Sequence, residues 1–298
     1  MTVGAKARAD RTELAVAVMV LTDLTLSVAD AMIKATLAEM PLSQFVFLRS
    51  CITLPLLILI LKLWFPQVSL RPARPGWALL RSGLLLASLL LYYASLNRLD
   101  LSMAAAIYYT IPLFITLFSA VLIREAVGPR GWTGVVLGFG GVLLMLRPEA
   151  RDLNLSALMP LASATLYALA MVLTRSRART ENPFVLALVF NLLAIALSGM
   201  ASPSGAGNAP DQSTGTWLQL DPEDWVLLVL LSGMMLIGSV GTAIAYQSGP
   251  PAIVSTWDFS YLAFAVLWGV VLFSEQLDLA SILGISLIAL AGIAVIRR

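Results

Sequence analysis

Four polar residues with helical spacing stand inside the first long apolar stretch of the sequence. They are Asp23, Ser27, Asp30 and Lys34. Their separations of four, three and four positions place them within about 60° of one another on a helix. A charge at the centre of a membrane-spanning helix costs about 2.5–3.5 kcal/mol. Since lipid offers such groups no partner, the spacing predicts one polar stripe that faces the interior of a helix bundle.

Two kinds of chemistry are open to this stripe. In a structural interpretation, Asp30 pairs with Lys34 one turn away, and Arg49 in the second apolar segment reaches Asp30 to complete a salt-bridge cluster. In a functional interpretation, Asp23 or Asp30 takes up a proton or contacts a substrate amine. The sequence contains no histidine, so proton coupling would require a carboxylate.

Asp258 stands alone in a later apolar segment, within the stretch TWDFSY, and no basic residue is near it in the sequence. A buried carboxylate without a basic partner suits a proton or cation role. A carboxylate bound by helix ends or water near the cytoplasmic mouth would have only a structural role. The residue is therefore a candidate for ion binding or gating, with the structural alternative left open.

The tyrosines all fall inside apolar segments. They are Tyr92, Tyr93, Tyr108, Tyr109, Tyr167, Tyr246 and Tyr261. Some suit the lipid interface, and Tyr246 with one member of each adjacent pair fits that position. A phenol in mid-membrane needs a hydrogen-bond partner, so we predict a substrate cavity with walls from Tyr92, Tyr108, Tyr167, Trp257, Tyr261 and Asp23. Such a cavity would accept aromatic side chains and bind an ammonium by cation–π attraction; the alternative is packing.

The composition places the chain in a membrane. It has 298 residues, is 59% hydrophobic and 12% charged, and has a mean hydropathy of +0.89. A soluble domain of this size cannot bury so much apolar surface. The single cysteine, Cys51, excludes a disulfide framework, and no metal or cofactor is expected. An intramembrane enzyme is disfavoured, because the acids Asp23 and Asp30 share one helix and no nucleophile constellation appears.

Ten segments are long enough to cross about 30 Å of hydrocarbon, which takes roughly 20 residues each. We predict them near 13–34, 42–64, 77–97, 101–123, 130–147, 154–175, 183–201, 224–246, 251–273 and 278–297. The Lys and Arg residues at their ends, Arg81 among them, collect on the side that holds both termini. This asymmetry predicts cytoplasmic termini and puts the polar insert at 201–222 outside.

The second half of the chain repeats the first, roughly 150 residues later. Glu125 corresponds to Glu275 and Gly134 to Gly284. The repeat divides the chain into residues 1–150 and residues 151–298, with five spans each. Because each unit has an odd number of spans, the first span of the second unit crosses the membrane in the direction opposite to the first span of the first unit. Inverted repeats are typical of secondary transporters, whose substrate sites lie between the repeats.

Glycines predict how the helices pack. Gly134 and Gly138 form a GxxxG motif that Gly141 continues, and this motif permits the close approach of another helix. The partner is either the last helix, with Gly284 and Gly292, or another protomer.

Two further features concern bends and helix ends. Pro112 predicts a kink in the fourth span, which is either a simple bend or a gating hinge; the second half has Leu262 at the matching position. Glu125 and Glu275 stand at helix ends, where capping or gating salt bridges suit them.

Several stretches resemble a known family. The stretch SVADAMIKATLAEMPLSQFVFLRSC, with Lys34 ending helix one and Arg49 early in helix two, is similar to EamA-type members of the drug/metabolite transporter superfamily. The segment that contains Pro112 and Glu125 resembles their third to fifth helices, and TWDFSYLAFAVLWGVVLFSEQLDLASILGISLIALAG resembles the counterpart in the second half. The resemblance implies ten helices around a central cavity and alternating access. It also points to the branch of the family that exports amino acids.

We therefore expect an all-α membrane protein of ten transmembrane helices, arranged as two inverted five-helix repeats around a central cavity. Its expected function is export of amino acids, including aromatic ones, across the bacterial inner membrane. The alternative cargo is another drug-like or nucleotide-like metabolite. The expected partners are a small-molecule substrate and the lipid bilayer, without nucleic acid; the sequence does not choose between a monomer and an oligomer.

Overall fold

A computed structural model describes residues 11–36, 40–96, 98, 101–146, 155–200, 217–273 and 279–296. All regular secondary structure in these ranges is helical, as predicted. The first half contains α1 (Thr12–Thr36), α2 (Leu42–Trp64), α3 (Pro75–Leu96), α4 (Leu101–Tyr108), α5 (Ile111–Leu122) and α6 (Pro129–Leu146). After a 3₁₀ turn at Leu155–Ala157, the second half contains α7 (Leu158–Ser176), α8 (Pro183–Met200), α9 (Pro222–Ser248), α10 (Pro251–Asp258), α11 (Ser260–Phe273) and α12 (Leu279–Ile296). Glu275 and most of the predicted outer loop lie outside the described residues.

Six helical stretches of the described chain are long and apolar enough to cross a membrane. They are Thr12–Ile33, Leu42–Trp64, Pro75–Ser95, Leu158–Ser176, Pro222–Ser248 and Pro251–Leu272. Helices suit these segments because hydrocarbon provides no water, so each backbone group must be bonded within its own segment. The chain is a multi-pass membrane protein.

Prolines mark where many of these helices begin. The first residues of α3, α6, α8, α9 and α10 are Pro75, Pro129, Pro183, Pro222 and Pro251. The first turn of a helix has N–H groups without an intrahelical partner, so a residue that lacks an N–H loses nothing there. The sequence thus fixes these helix starts locally.

The predicted fourth span, 101–123, is broken into two helices. Helix α4 ends at Tyr108 and α5 begins at Ile111, with Pro112 in the first turn of α5. Because a proline in a first turn is unstrained, Pro112 starts a new helix. The span that the sequence predicts as one helix kinked at Pro112 therefore consists of two helices, separated by Tyr109 and Thr110.

The predicted ninth span, 251–273, is also broken, although Leu262 stands at the position that corresponds to Pro112 of the first half. Helix α10 ends at Asp258 and α11 begins at Ser260. The ring of Phe259, between them, is fully buried and occupies the space beside Gly138 of α6, where a Cβ atom would lie 2.5 Å from the ring. The break between α10 and α11 thus coincides with the buried position of the Phe259 ring against α6.

The most extensive contacts among the described helices join the first half of the chain to the second. The pairs are α6 with α12, α3 with α7, α1 with α9, and α2 with α8. Helices α1 and α9 run antiparallel, since Thr22 lies beside Gly241 and Leu26 beside Gly238. The core therefore forms between the two halves.

Helix α6 approaches α12 closely at Gly141. A Cβ atom on Gly141 would lie 2.7 Å from the carbonyl oxygen of Gly284. Of the two partners that the GxxxG motif left open, the structure shows α12 of the same chain. Gly138 and Gly292 have another role, because they accommodate the side chains of Phe259 and Trp257.

We predict that Gly141→Ala destabilises the protein by about 1–3 kcal/mol, as overpacking of a close contact does. The added methyl group would meet the backbone oxygen of Gly284, which cannot rotate away. Thermal unfolding of the detergent-purified protein measures the effect. Gly83→Ala in α3 is the control, because nothing lies within 4 Å of its Cβ position. Equal melting temperatures for the two variants would contradict the contact.

Candidate functional site

The polar stripe of α1 lies against α11. The Ser260 hydroxyl donates to Asp23 Oδ2 at 2.7 Å, and Trp268 Nε1 donates to Ser27 Oγ at 3.0 Å. The Tyr261 hydroxyl donates to Asp30 Oδ2. Asp23 and Ser27 are buried, as a stripe that faces the bundle interior requires, whereas Asp30 contacts α11 but remains exposed. The Lys34 side chain lies outside the described residues.

Asp23 is fully enclosed at the break before α11. Only 1% of its surface is exposed, and its partner Ser260 is the first residue of α11. The N-terminus of a helix carries partial positive charge and stabilises a nearby carboxylate. The break between α10 and α11 thus supplies Asp23 with a partner that neither lipid nor α1 could provide.

Asp258, the last residue of α10, lies within electrostatic range of Asp23. It also interacts with the Tyr246 hydroxyl, which makes no hydrogen bond of good geometry with a described residue. The sequence separates Asp23 and Asp258 by most of the chain, and the fold brings them close enough to interact electrostatically. Two neighbouring carboxylates repel when both are ionised, so a single proton or cation bound between them relieves the repulsion.

Six tyrosines form one continuous group of rings, which we call the tyrosine cluster. Its members are Tyr92, Tyr93, Tyr108, Tyr109, Tyr167 and Tyr261. The ring centroids are 4.4 Å apart for Tyr92 and Tyr108, 6.4 Å for Tyr108 and Tyr167, and 6.4 Å for Tyr109 and Tyr261. These separations are in the range of attractive aromatic pairs. The cluster joins α3, α4, α7 and α11.

The structure therefore brings together four of the predicted cavity tyrosines, Tyr92, Tyr108, Tyr167 and Tyr261. It adds two residues that the predicted cavity did not include, Tyr93 and Tyr109. The signal for Tyr109 was its position at the α4–α5 break, three residues before Pro112. The sequence leaves interfacial anchoring open for one member of each adjacent pair. The rings of both pairs belong to the cluster, and Tyr93 is also 42% exposed.

The predicted cavity residue Trp257 is placed differently. Its indole ring lies against Gly292 of α12, within 3.1–3.2 Å of that residue's Cβ position. Its buried Nε1 has no hydrogen-bond partner among the described residues. Trp257 directly precedes Asp258 on α10, and adjacent helical residues point about 100° apart. The Trp257 ring is therefore directed toward α12 and not toward the side of Asp258.

Arg49 does not pair with Asp30 in the described chain, which corrects the expected salt bridge. The guanidinium carbon of Arg49 lies 6.0 Å from the centroid of the Phe45 ring, and its Nε has no hydrogen-bond partner among the described residues. Asp30 is bound by Tyr261 because α11 packs directly on α1. A neutral phenol thus takes the place that the sequence suggested for a cation.

Glu125 does form the salt bridge expected of a glutamate at a helix end. Its Oε1 lies 3.0 Å from Arg175 Nη2 of α7. The partner could not be read from the sequence, because Arg175 is 50 positions away. This contact ties the segment after α5 to the C-terminal end of α7.

Arg81 is the buried residue that sequence reasoning missed. It was counted among the cytoplasmic charges at the helix ends, yet it lies inside α3 with 2% of its surface exposed. Its Nε donates to Thr174 Oγ1 of α7 at 2.6 Å. The available signal was its position, fully one turn inside a long apolar helix that begins at Pro75.

Among the described residues, no group of three or more His, Cys, Asp and Glu side chains could hold a metal ion. The polar and aromatic groups beside the two helix breaks are carboxylates and phenols. Such groups bind charged and aromatic parts of organic molecules through hydrogen bonds and ring contacts.

Comparison with known proteins shows similarity to several transporters. The pseudopaline exporter CntI of Pseudomonas aeruginosa is 27% identical over 282 residues, covering 93% of this chain and 94% of its own. A riboflavin transporter of Vibrio cholerae is 27% identical over 242 residues, covering 78% and 76%. An uncharacterised transporter of Helicobacter pylori is 24% identical, covering 94% and 93%.

A solved crystal structure shares the fold, with a TM-score of 0.80 at 20% identity, covering 96% of this chain and 98% of its own. The family description that matches is the EamA-like transporter family, and it matches twice, over residues 13–147 and again over 154–298. Because these two matches cover nearly the whole chain, the protein belongs to the EamA-like transporter family of small-metabolite transporters.

Proposed function

We propose that this protein is a secondary transporter that moves amino acids, including aromatic ones, out of the cytoplasm across the bacterial inner membrane. Ten spans form two inverted five-helix repeats, residues 1–150 and 151–298, and both termini are cytoplasmic. The repeats alternate between inward-open and outward-open arrangements around the tyrosine cluster. The observation that carries the proposal is the meeting of Asp23, Asp258 and the tyrosine cluster at two helix breaks.

The helix breaks support a binding role for this region. In secondary transporters, substrate sites typically lie at discontinuous helices, where half-helix ends and free backbone groups face the cargo. Here both broken spans, α4–α5 and α10–α11, contribute to one group of side chains, since the Tyr109 and Tyr261 rings lie 6.4 Å apart. A purely structural core would not need two interruptions at the same place.

The pattern of helix contacts supports a two-fold relation between the repeats. If the first span corresponds to the sixth and the third to the eighth, the α3–α7 pair is the counterpart of the α1–α9 pair. The α2–α8 and α6–α12 pairs are then each their own counterpart. All four are the most extensive contacts among the described helices, and the family description matches each half separately.

The chemistry of the site suits an amphipathic cation with an aromatic part. A carboxylate such as Asp23 or Asp258 attracts an ammonium, and tyrosine faces add cation–π attraction. The aromatic part of the cargo finds ring partners in Tyr108 and Tyr167. None of the six tyrosines of the cluster is fully buried, which supports a substrate path between the helices that contribute them.

A second cargo class is favoured by one of the similar proteins. The Vibrio cholerae relative is a riboflavin transporter by name, and a flat aromatic molecule would stack on tyrosines without needing a carboxylate partner. A drug-like or nucleotide-like metabolite is therefore the alternative cargo. The two classes differ in whether an ammonium group is required for uptake.

The carboxylate pair makes a testable prediction about ion coupling. We expect uptake of labelled phenylalanine into proteoliposomes to increase with an imposed pH gradient, because a proton can be exchanged between Asp23 and Asp258. Asp23→Asn and Asp258→Asn should each abolish the gradient dependence. Glu223→Gln, which removes an exposed carboxylate at the start of α9, is the control. If the uptake rate of the wild type does not change with the pH gradient, proton coupling is rejected, and the protein would act as a facilitator.

The tyrosine cluster predicts a selective loss of affinity. Tyr167→Ala should raise the KM for phenylalanine about tenfold, from lost ring contacts and cation–π attraction, and should affect alanine less. Initial uptake rates over a range of concentrations measure both values. Trp257→Ala is the comparison, since its ring packs on Gly292. Unchanged kinetics in both variants would remove the aromatic cavity from the mechanism.

A further inference from the structure

Arg81 is a buried cation in a membrane-spanning helix. Only 2% of its surface is exposed, which makes it one of the largest fully buried side chains of the described chain, and it lies on the face of α3 that packs against α7. Burying a guanidinium away from water is costly unless an anion compensates its charge. Arg81 therefore requires an explanation that an exposed arginine would not.

The described chain supplies Arg81 with a neutral partner only. Its Nε donates to the hydroxyl of Thr174 at 2.6 Å, and no carboxylate of the described residues forms a salt bridge with it. A guanidinium has five N–H donors arranged to bind a carboxylate with two parallel hydrogen bonds. The single bond to Thr174 fixes one edge of the group and leaves the others for a further acceptor.

Arg175 shows what a structural arginine looks like in this protein. It lies next to Thr174 and is also buried, at 8% exposure. It forms an ion pair with Glu125 at 3.0 Å, and its Nη1 is directed at the carbonyl oxygen of Gln247. Arg175 and Arg81 thus differ in the charge of their partners. Arg175 is paired with a carboxylate, whereas Arg81 is bonded to a neutral hydroxyl.

Arg81 is also connected to the candidate site. It interacts electrostatically with Tyr167, a member of the tyrosine cluster, and Tyr167 in turn lies within range of Asp258 and Asp23. Tyr167 therefore lies within electrostatic range both of a buried cation on α3 and of the carboxylates Asp23 and Asp258. Opposite charges thus lie near the same tyrosine.

We propose that Arg81 is a specificity-determining residue that binds the carboxylate of the transported molecule, so that the cargo itself supplies the missing anion. The proposal rests on the proposed function and extends it from an ammonium site to a site for zwitterions. The cargo carboxylate binds at Arg81 and its ammonium group is attracted by Asp23 and Asp258. Amines without a carboxylate are then disfavoured, because they leave the guanidinium uncompensated.

A purely structural role for Arg81 predicts a different result. If it only joins α3 to α7 through Thr174, its replacement lowers stability and reduces the binding of every ligand alike. If it binds a carboxylate, its replacement changes the preference between ligands. The ratio of two affinities separates these roles, because a general loss of folded protein affects both ligands equally.

The test uses detergent-purified full-length protein and three ligands of similar shape. They are phenylalanine, phenethylamine, which lacks the carboxylate, and 3-phenylpropionate, which lacks the ammonium group. Dissociation constants come from calorimetry or from thermal stabilisation at graded ligand concentrations. The variants are Arg81→Gln, which can still donate a hydrogen bond to Thr174, and Arg81→Lys, which keeps the charge without the paired donors. Arg175→Gln is the matched control.

The wild type should bind phenylalanine at least about tenfold more tightly than phenethylamine, as expected for a charge-assisted hydrogen-bonded pair. In Arg81→Gln the ratio should fall to about one, with phenethylamine binding retained, and Arg81→Lys should restore part of it. Arg175→Gln should lower the melting temperature without changing the ratio. If Arg81→Gln does not fold, the ratio in Arg81→Lys decides.

Two outcomes would overturn the assignment, and they are distinguishable. A ratio that persists in Arg81→Gln removes Arg81 from carboxylate binding and leaves amino-acid transport standing. A wild type that binds none of the three ligands rejects amino acids as cargo, and with them the carboxylate site.

Discussion

The structure depends on one constraint, that polar groups buried in hydrocarbon must find partners inside the protein. The carboxylates of α1 show how this is met. Asp23, Ser27 and Asp30 each bond to a residue of α11, so a stripe that lipid could not accept becomes the contact between two helices from opposite halves of the chain. The position of α11, and therefore of the break before it, follows from this requirement.

The two broken spans place polar and aromatic side chains between the packed helices. Helix α5 starts at a proline-containing turn, and α11 starts after the buried ring of Phe259. In both places the chain departs from a continuous helix and supplies a polar or aromatic group, Tyr109 in one case and Ser260 in the other. A family whose members carry different cargoes, by the names of its relatives, can keep these breaks and vary the side chains around them.

The sequence alone determined the features that depend on local pattern. Apolar length predicted α2 at 42–64, the bounds that the structure gives, because a span must match the thickness of hydrocarbon. Helical spacing predicted that Asp23, Ser27 and Asp30 share one face. Composition predicted an all-helical membrane protein, and the aromatic content predicted much of the tyrosine cluster, with Tyr92, Tyr108, Tyr167 and Tyr261 among its members.

Only the tertiary structure decided which of these groups meet. Three contacts depend on how helices that are distant in the sequence pack. Asp258 interacts with Asp23. Asp30 bonds to Tyr261 and not to Arg49, and Trp257 lies against Gly292. The same holds for Arg81. The sequence alone predicts a charge at a helix end, whereas packing of α7 against α3 buries this side chain. Hydropathy reports how deep a residue can lie, whereas the partner of a buried charge depends on contacts between residues far apart in the chain.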